Sequence, residues 1–364
     1  SIDNVSVKEY ITATNTPRID YSTGEKAFLL EPQSTNLLAY SSDFSQWNAS
    51  SNASVNANET ISPDGTQNAY LLNSAQASSR VQVNMNGLTG LYAQSIYLKY
   101  AGDDVLVRIR RDQSNDRFDL IVNSSGITAG TISSGVIEYK IEDVGNGWYR
   151  VWNTQNNLGW YQMYIDVTGN GGSVYAWGAQ LEQQSYATSY IPTDGAIATR
   201  NQELCVDATP VINSEEGTLY AEISANQLTT GRWLSLSNGT TSERLSFGFQ
   251  GGEIRLYIRN TSGLIWDFTK SGIDILNYNK ISLKYKSGDY ALWINGTEVA
   301  TSNATNLPTL SSLQFDDGGG SALFFGNTKD LKYYPKALAD VQLEALTSFG
   351  SFTEMANALN YTII

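Results

Sequence analysis

The segment SVYAWGAQLEQQSYATSYIP, residues Ser173–Pro192, decides our interpretation of the fold. Tyr175, Trp177, Ala179 and Leu181 occupy every second position, which predicts a β-strand that presents these four side chains on one side. The polar run that follows ends the strand, and the chain continues through TDGAIATRNQEL toward strands with a different spacing. This segment therefore closes one domain and leads into a second.

Short alternating segments, typical of strands, recur at intervals of about 8 to 15 residues before this segment, and strands with a different spacing follow it. The second half also contains QGGE, KSGD and NGTE, in which glycine lies between alternating runs and predicts hairpin turns. A helical pattern follows Pro335, with Asp340 in its first turn and Val341, Leu343 and Leu346 on its apolar side. We predict an all-β chain, with two antiparallel β-sandwich domains of jelly-roll type in tandem and one short C-terminal helix.

These patterns divide the chain into five parts. Residues 1–30 are interpreted as the closing strand of a preceding module and a linker, because IDNVSVKE precedes a Pro-containing stretch. An edge strand of the first domain is the alternative. The other parts are a jelly roll at 31–194, a linker at 195–212, a second sandwich at 213–348 and a tail at 349–364. The tail is interpreted as either a second short helix or an oligomer contact.

The composition excludes several classes of function. The chain has 23 Lys and Arg against 36 Asp and Glu, a formal net charge of −13, which disfavours nucleic-acid backbones and anionic membrane surfaces as partners. No histidine occurs, so triads and zinc sites that use histidine are excluded. Cys205 is the only cysteine, so no disulfide can form within the chain. No apolar run approaches the length that a membrane-spanning helix needs.

Alternation also predicts which side chains face away from the two cores. In the first domain these are Tyr97, Arg108, Arg110, Trp160, Gln162 and Tyr164, together with Arg150 and Trp152 if Tyr149 and Val151 point inward. In the second domain they are Arg255, Tyr257, Arg259 and Trp293.

Two sets of motifs resemble known families. NLLAYSSDFSQW from Asn36, SPDGT from Ser62, GNGWYRV from Gly145 and YAWGAQLE from Tyr175 resemble a jelly-roll module of bacteriophage tail and tail-fibre proteins, which is similar to a carbohydrate-binding module. YALWINGTEVATS from Tyr290 and the closing strand and helix resemble a concanavalin A-like domain of laminin-G type. The first resemblance covers about 160 residues of the chain.

The resemblance implies a viral tail protein that attaches to a host, located in the virion or outside the cell. Its expected partners are a host cell-surface polysaccharide or protein receptor and other tail or baseplate proteins, with no nucleic acid and no membrane insertion. Tail fibres are commonly trimers, so a homotrimer stays open, although no coiled coil or β-helix repeat enforces it. The alternatives are a structural spacer of the tail or injection apparatus, and an accessory region of a secreted polysaccharide-degrading enzyme.

The outward aromatic and polar side chains fit sugar recognition. Flat aromatic rings pack against the apolar face of a pyranose, while Arg, Gln and similar groups bond its hydroxyls. We therefore predict a glycan platform at the outward residues of the first domain and a second candidate at those of the second domain. Burial beneath a loop or a neighbouring subunit is the competing interpretation.

The carboxylates do not predict catalysis. Glycoside hydrolases of concanavalin A-like fold place carboxylates at alternating positions on one strand, and no such spacing occurs here, so we predict no enzyme activity. We also predict no cofactor. Asp64, Asp316 and Asp317 offer oxygen ligands that structural calcium would accept, but a solvated turn is the better explanation of so few carboxylates in a loop.

Overall fold

The computed structural model describes residues 18–21, 26–50, 52–75, 79–111, 117–168, 171–205, 209–228, 231–351, 353 and 355–356, without the side chains of 86–87, 110–111 and 157–168. These residues form two compact units. The inserted unit is Gln33–Asn201, and the discontinuous unit comprises the described residues of Ser1–Pro32 and Gln202–Ile364. The fold is all-β, with antiparallel strands throughout. One short α-helix lies entirely within the described ranges, and Thr353, Met355 and Ala356 of the tail are also helical.

The discontinuous unit begins with strands β1 (Arg18–Asp20) and β2 (Ala27–Leu30). The inserted unit then supplies β3 (Ser34–Asn36), β4 (Asn48–Ala49), β5 (Ala53–Thr60), β6 (Ala69–Ser74), β7 (Ser79–Tyr100), β8 (Val105–Arg111), β9 (Arg117–Asn123), β10 (Gly126–Ile132), β11 (Val136–Asp143), β12 (Trp148–Thr168), β13 (Gly172–Glu182) and β14 (Ala198–Arg200). A single 3₁₀ turn, Phe44–Gln46, precedes β4.

The chain then completes the discontinuous unit. Its remaining elements are β15 (Glu216–Ala225), β16 (Arg232–Ser237), β17 (Arg244–Gln250), β18 (Glu253–Asn260), β19 (Gly263–Lys270), β20 (Asn279–Lys286), β21 (Tyr290–Ile294), β22 (Thr297–Ser302), β23 (Ser312–Gln314), β24 (Gly326–Tyr334) and the helix α1 (Asp340–Thr347). No helix among the described residues combines the length and apolar character needed to cross a bilayer.

Two long strands, β7 and β12, build both layers of the inserted unit. The first half of β12 pairs with β11 and with the second half of β7, whereas its second half pairs with β8 and with the first half of β7. The register between them shifts between Leu158 and Trp160, which marks the bend. Side chains from both layers fill one core, including Ile96 and Val151 from the first layer and Ile109 and Leu120 from the second.

The strand β13 departs from the predicted alternation at Gly178. Its φ of +62° falls in the left-handed region that favours glycine, and the register with β7 shifts between Trp177 and Gln180. Ala179 and Leu181 lie in the core, whereas Trp177 and the partly buried Tyr175, which alternation predicts on the same side, pack on the opposite face with Ala69 and Trp148. The prediction that Trp177 shares a side with Ala179 and Leu181 is therefore wrong, because a bulge changes the parity of the strand.

The discontinuous unit is a sandwich of two sheets. The first has the order β1-β2-β24-β15-β20-β21-β22, and the second has the order β19-β18-β17-β16-β23. Alternate residues of both sheets meet in one core, such as Leu219 and Leu283 from the first and Phe247 and Leu256 from the second, all fully buried. Burial of each such side chain stabilises the fold by about 1.5–3 kcal/mol.

Strand pairing corrects two predicted linkers. Residues 27–30 of the presumed preceding module form β2, whose Phe28 and Leu29 pair with β24 of the discontinuous unit. Residues 198–200 of the presumed linker at 195–212 form β14, which pairs with β3. These strands have only four and three residues, which is too few for an alternating pattern to reveal a strand. Residues 1–17 and most of the tail at 349–364 lie outside the described residues.

The helix α1 covers part of the first sheet of the discontinuous unit. It begins at Asp340, as the sequence predicts, and Leu343 is fully buried against Ala291 and Trp293. Val341, however, is 71% exposed, so its assignment to the apolar side is wrong. Leu343, Leu346 and Thr347 follow the i, i+3, i+4 spacing and share the covered side of the helix. Val341 precedes Leu343 by two positions and therefore points to the opposite side, into solvent.

Candidate functional site

The strand β18 presents a row of polar and aromatic side chains on the outer face of its sheet. Ile254, Leu256 and Ile258 point into the core and are fully buried. Arg255, Tyr257 and Arg259 therefore lie on the other side of the strand, where each is partly exposed. This arrangement confirms the alternation that the sequence predicts for β18, while a binding role of these residues stays a prediction.

The neighbouring strands add further side chains to this face. In β17, Arg244 lies opposite Arg259, Ser246 lies opposite Tyr257 and Gly248 lies opposite Arg255. In β19, Asp267 lies opposite Tyr257. We call the resulting surface the arginine face and define it by Arg244, Gln250, Arg255, Tyr257, Arg259 and Asp267.

Arg255 is anchored by its neighbours on the arginine face. Its Nε and Nη2 atoms donate to the two carboxylate oxygens of Asp267 at 3.1 and 2.7 Å, and its Nη1 donates to Gln250 Oε1 at 2.7 Å. The hydrogen bonds to Asp267 raise the pKa of Arg255. This two-pronged contact fixes the guanidinium plane and leaves it with few free donors.

Arg244 joins the arginine face to the loop 316–321. Its guanidinium carbon lies 4.7 Å from the centre of the Tyr257 ring, within range for a cation–π contact. Its Nη1 donates to the backbone oxygen of Asp317 and lies 3.8 Å from that residue's carboxylate. Burial lowers the pKa of Arg244, and the nearby charge of Arg259 acts in the same direction.

Trp293 is not part of the arginine face. It belongs to β21 in the other sheet, and only 8% of it is exposed because Leu338 and Leu343 pack against it. Lys284 of the same sheet forms ion pairs with Asp340, the first residue of α1, at 3.0 Å and with Asp289 at 2.7 Å. The prediction that Trp293 is open to a ligand is therefore wrong, because α1 covers it.

Three of the predicted platform residues in the inserted unit lie beneath the exit segment, which we define as residues 183–193. Trp152 packs with Tyr186 and Ala187, and Tyr97 lies 6.2 Å, centre to centre, from the ring of Tyr190. Arg150 donates to the backbone oxygen of Thr188. Trp152 and Arg150 are 7% and 9% exposed. All three residues face away from the core. The prediction that Trp152 and Arg150 are open to solvent is wrong, whereas Tyr97 is half-buried beside Tyr190.

The other predicted platform residues lie in the opposite layer. Arg108, which is partly buried, donates through Nε and Nη2 to Asp119 at 2.6 and 3.0 Å. Trp160, Gln162 and Tyr164 are in the second half of β12, and Arg110 pairs in register with Tyr164. The side chains of these last four residues lie outside the described part of the structure. The predicted platform is thus divided between two layers of the sandwich.

The loops considered for calcium use their carboxylates locally. Asp64 Oδ1 accepts from Ser62 Oγ, Thr66 N and Thr66 Oγ1 at 2.6, 2.8 and 2.6 Å. Asp317 Oδ1 accepts from Gly319 N at 3.1 Å, and Asp316 Oδ1 accepts from Gly318 N at 2.6 Å. Burial raises the pKa of Asp316. No group of three or more acidic or cysteine side chains suited to a metal occurs within the described residues.

Sequence reasoning missed Arg244. The signal for it was present, because QGGE predicts a hairpin between β17 and β18 and alternation places Leu245 and Phe247 in the core. Counting outward from the two glycines of this hairpin pairs position 244 with position 259, so the hairpin register alone would have identified the residue.

Comparisons with known proteins give only distant similarities. No protein-family model and no curated protein matches the sequence. A carbohydrate-binding module of the Ruminococcus gnavus IT-sialidase, bound to α2,3-sialyllactose, aligns with 20% identity over 37% of this chain and 84% of its own, with a TM-score of 0.32.

Two animal proteins align over more of the chain. Domains LG4-5 of the mouse laminin α1 chain align at 9% identity over 73% of this chain and 90% of their own, with a TM-score of 0.28. The extracellular region of zebrafish Gpr126 aligns at 12% identity over 81% of this chain and 37% of its own, with a TM-score of 0.30. TM-scores this low assign neither a family nor a function.

Proposed function

We propose that this chain is a non-catalytic adhesion protein of a phage-type tail, which binds a glycan or receptor on the host cell surface through the arginine face. The proposal is supported chiefly by one observation: Arg255, Tyr257 and Arg259 share the outer face of β18 and are partly exposed. An aromatic ring flanked by hydrogen-bond donors is the combination that saccharide sites use. The tail assignment is supported by the motifs of the first half of the chain.

A variant of the ring tests the proposal. Replacement of Tyr257 by Ala removes the proposed stacking surface, and we expect attachment to host cells and signals on a glycan array to fall by about tenfold or more. Tyr21→Ala is the matched control, because Tyr21 is 58% exposed and belongs to no part of the arginine face. Unchanged attachment of the Tyr257→Ala variant would remove the arginine face as the adhesive surface.

A second glycan site is proposed on the inserted unit. Trp160, Gln162 and Tyr164 occupy alternate positions of β12 next to Arg110 in register, and Arg108 lies on the adjacent strand. A Trp160→Ala variant that attaches to cells like the parent would exclude this platform. If neither Trp160→Ala nor Tyr257→Ala affects attachment, the role of a structural spacer, with other tail or baseplate proteins as its partners, becomes the better proposal.

A further inference from the structure

Two arginines of the arginine face lie directly opposite each other. Arg244 of β17 and Arg259 of β18 are partners in an antiparallel ladder. Side chains in such positions have their Cβ atoms about 4.5–5.5 Å apart, and like charges there destabilise the sheet. The pair therefore needs negative charge nearby to balance it.

The described carboxylates balance the pair only in part. Asp317 Oδ2 lies 3.8 Å from Arg244 Nη1, which is too far for a hydrogen bond, and Asp317 Oδ1 accepts instead from Gly319 N at 3.1 Å and from Ser321 N at 3.0 Å. Asp267 is bound by Arg255. In the part of the chain that the structure describes, Arg259 has no carboxylate within 4.0 Å.

Some hydrogen-bond donors of Arg244 and Arg259 also lack an acceptor among the described residues. The Nε atoms of Arg244 and Arg259 are buried and have no hydrogen-bond partner among the described residues. Glu243 precedes Arg244 in sequence, but its two oxygens accept from the backbone N–H groups of Thr261 and Thr309 at 2.9 and 2.7 Å. A ligand cannot reach these buried Nε atoms, so an anion would bind the other guanidinium N–H groups of the two partly exposed residues and offset their like charges.

We propose that Arg244 and Arg259 form an anion site that takes the carboxylate or sulfate group of an acidic saccharide. This inference rests on the proposed adhesive function and names the class of ligand for the same face. Guanidinium groups present parallel donors that match the oxygens of such anions. Tyr257, which Arg244 contacts, then lies beside the sugar ring that carries the charge. The site supplies local positive charge in a chain whose net charge is −13.

The experiment uses a glycan array of matched acidic and neutral saccharides: sialylated and asialo, sulfated and unsulfated, uronate and its methyl ester. We expect the full chain to bind the acidic member of at least one pair, and the pair that responds distinguishes carboxylate from sulfate. Arg259→Gln should weaken that binding by about tenfold or more, because it removes charge-assisted hydrogen bonds. Lys332→Gln, with the same change in charge at an exposed position of β24, should bind like the parent.

A stability measurement separates loss of the site from misfolding. Without ligand, Arg259→Gln should unfold at the same temperature as the parent or higher, because it removes repulsion from Arg244. Sodium sulfate should raise the unfolding temperature of the parent more than sodium chloride of equal ionic strength, and this excess should be smaller in Arg259→Gln, in which only the general stabilising effect of sulfate remains. Equal binding of acidic and neutral members would overturn the anion site while leaving adhesion intact. Absence of all glycan and cell binding, together with an equal sulfate effect in the parent and in Arg259→Gln, would overturn both.

Discussion

Gln180 of β13 holds Ile191 of the exit segment through a hydrogen bond of 2.6 Å from the backbone N–H of Ile191 to Gln180 Oε1. The Nε2 of Gln180 donates to Glu182 Oε1 at 2.6 Å and to the backbone oxygen of Thr188 at 3.2 Å. Glu182 in turn accepts from Thr188 N at 2.8 Å. The side chains of Gln180, Glu182 and Thr188 are fully buried. This network holds the exit segment over Trp152 and Tyr97.

Replacement of Gln180 by Ala should therefore destabilise the inserted unit. The change leaves the Ile191 N–H without its acceptor, and each buried unsatisfied group costs about 1–3 kcal/mol. Urea denaturation should show a lower free energy of unfolding, while Gln183→Ala, at an exposed neighbouring position, should change it by less than about 0.5 kcal/mol. Equal stability of both variants would mean that packing alone holds the exit segment.

The sequence predicted the inward positions of strands more accurately than it predicted which outward residues are open to a ligand. Alternation finds the core side of a strand, so the inward positions of β18 follow directly from the pattern of Ile254, Leu256 and Ile258. It cannot show what lies over the other side. Trp152 and Trp293 both face away from a core, yet the exit segment covers the first and α1 covers the second. Those covers come from segments distant in sequence and carry no local periodic signal.

Gly178 is the reason that alternation failed to predict the two sides of β13. Gly178 combines a φ of +62° with a position at which an added Cβ would lie 3.0 Å from Tyr97 Cδ2. We expect Gly178→Ala to lose more stability than Gly251→Ala, which has the same φ of +62° but open space around it. The control isolates the backbone cost of about 1 kcal/mol. Thermal or urea denaturation checks the difference, and equal losses would show that the Tyr97 ring moves away freely.

The helix α1 offers a pair of neighbouring positions with opposite environments. Leu343 is fully buried against Ala291 and Trp293, whereas Val341 is 71% exposed. Leu343→Ala should lower the free energy of unfolding by about 2–5 kcal/mol, because it removes buried methyl groups and leaves a cavity. Val341→Ala should change it by less than about 0.5 kcal/mol.

Tryptophan fluorescence can report the same event, since Trp293 lies beneath the helix. A red shift in Leu343→Ala but not in Val341→Ala would indicate that water reaches Trp293 when the helix is loosened. A spectrum that stays the same in a destabilised Leu343→Ala variant would contradict the role of α1 as the cover of this ring.

Tyr285 gives the discontinuous unit a pH dependence of known sign. Burial raises the pKa of Tyr285, and its hydrogen bond with Tyr333 acts in the same direction. Its hydroxyl donates to the backbone oxygen of Asn213 at 2.5 Å. In the unfolded chain a tyrosine loses its proton near pH 10. The stability that Tyr285 contributes is therefore fully present below about pH 10 and is lost as the pH rises toward its folded pKa.

We expect Tyr285→Phe to be less stable than the parent at pH 8, because the Asn213 oxygen loses its closer donor and keeps only the Tyr333 hydroxyl at 3.4 Å. Between pH 8 and pH 10.5 this difference in the free energy of unfolding should shrink by about 1 kcal/mol. The reason is that Tyr285 of the parent loses its proton on unfolding near pH 10, whereas phenylalanine has no proton to lose. Leu283→Ala is the control: Leu283 is fully buried and does not ionise, so its loss should be equal at both pH values. Urea denaturation at the two pH values measures both, and a constant difference for Tyr285→Phe would show that its hydroxyl ionises in the folded protein as readily as in the unfolded chain.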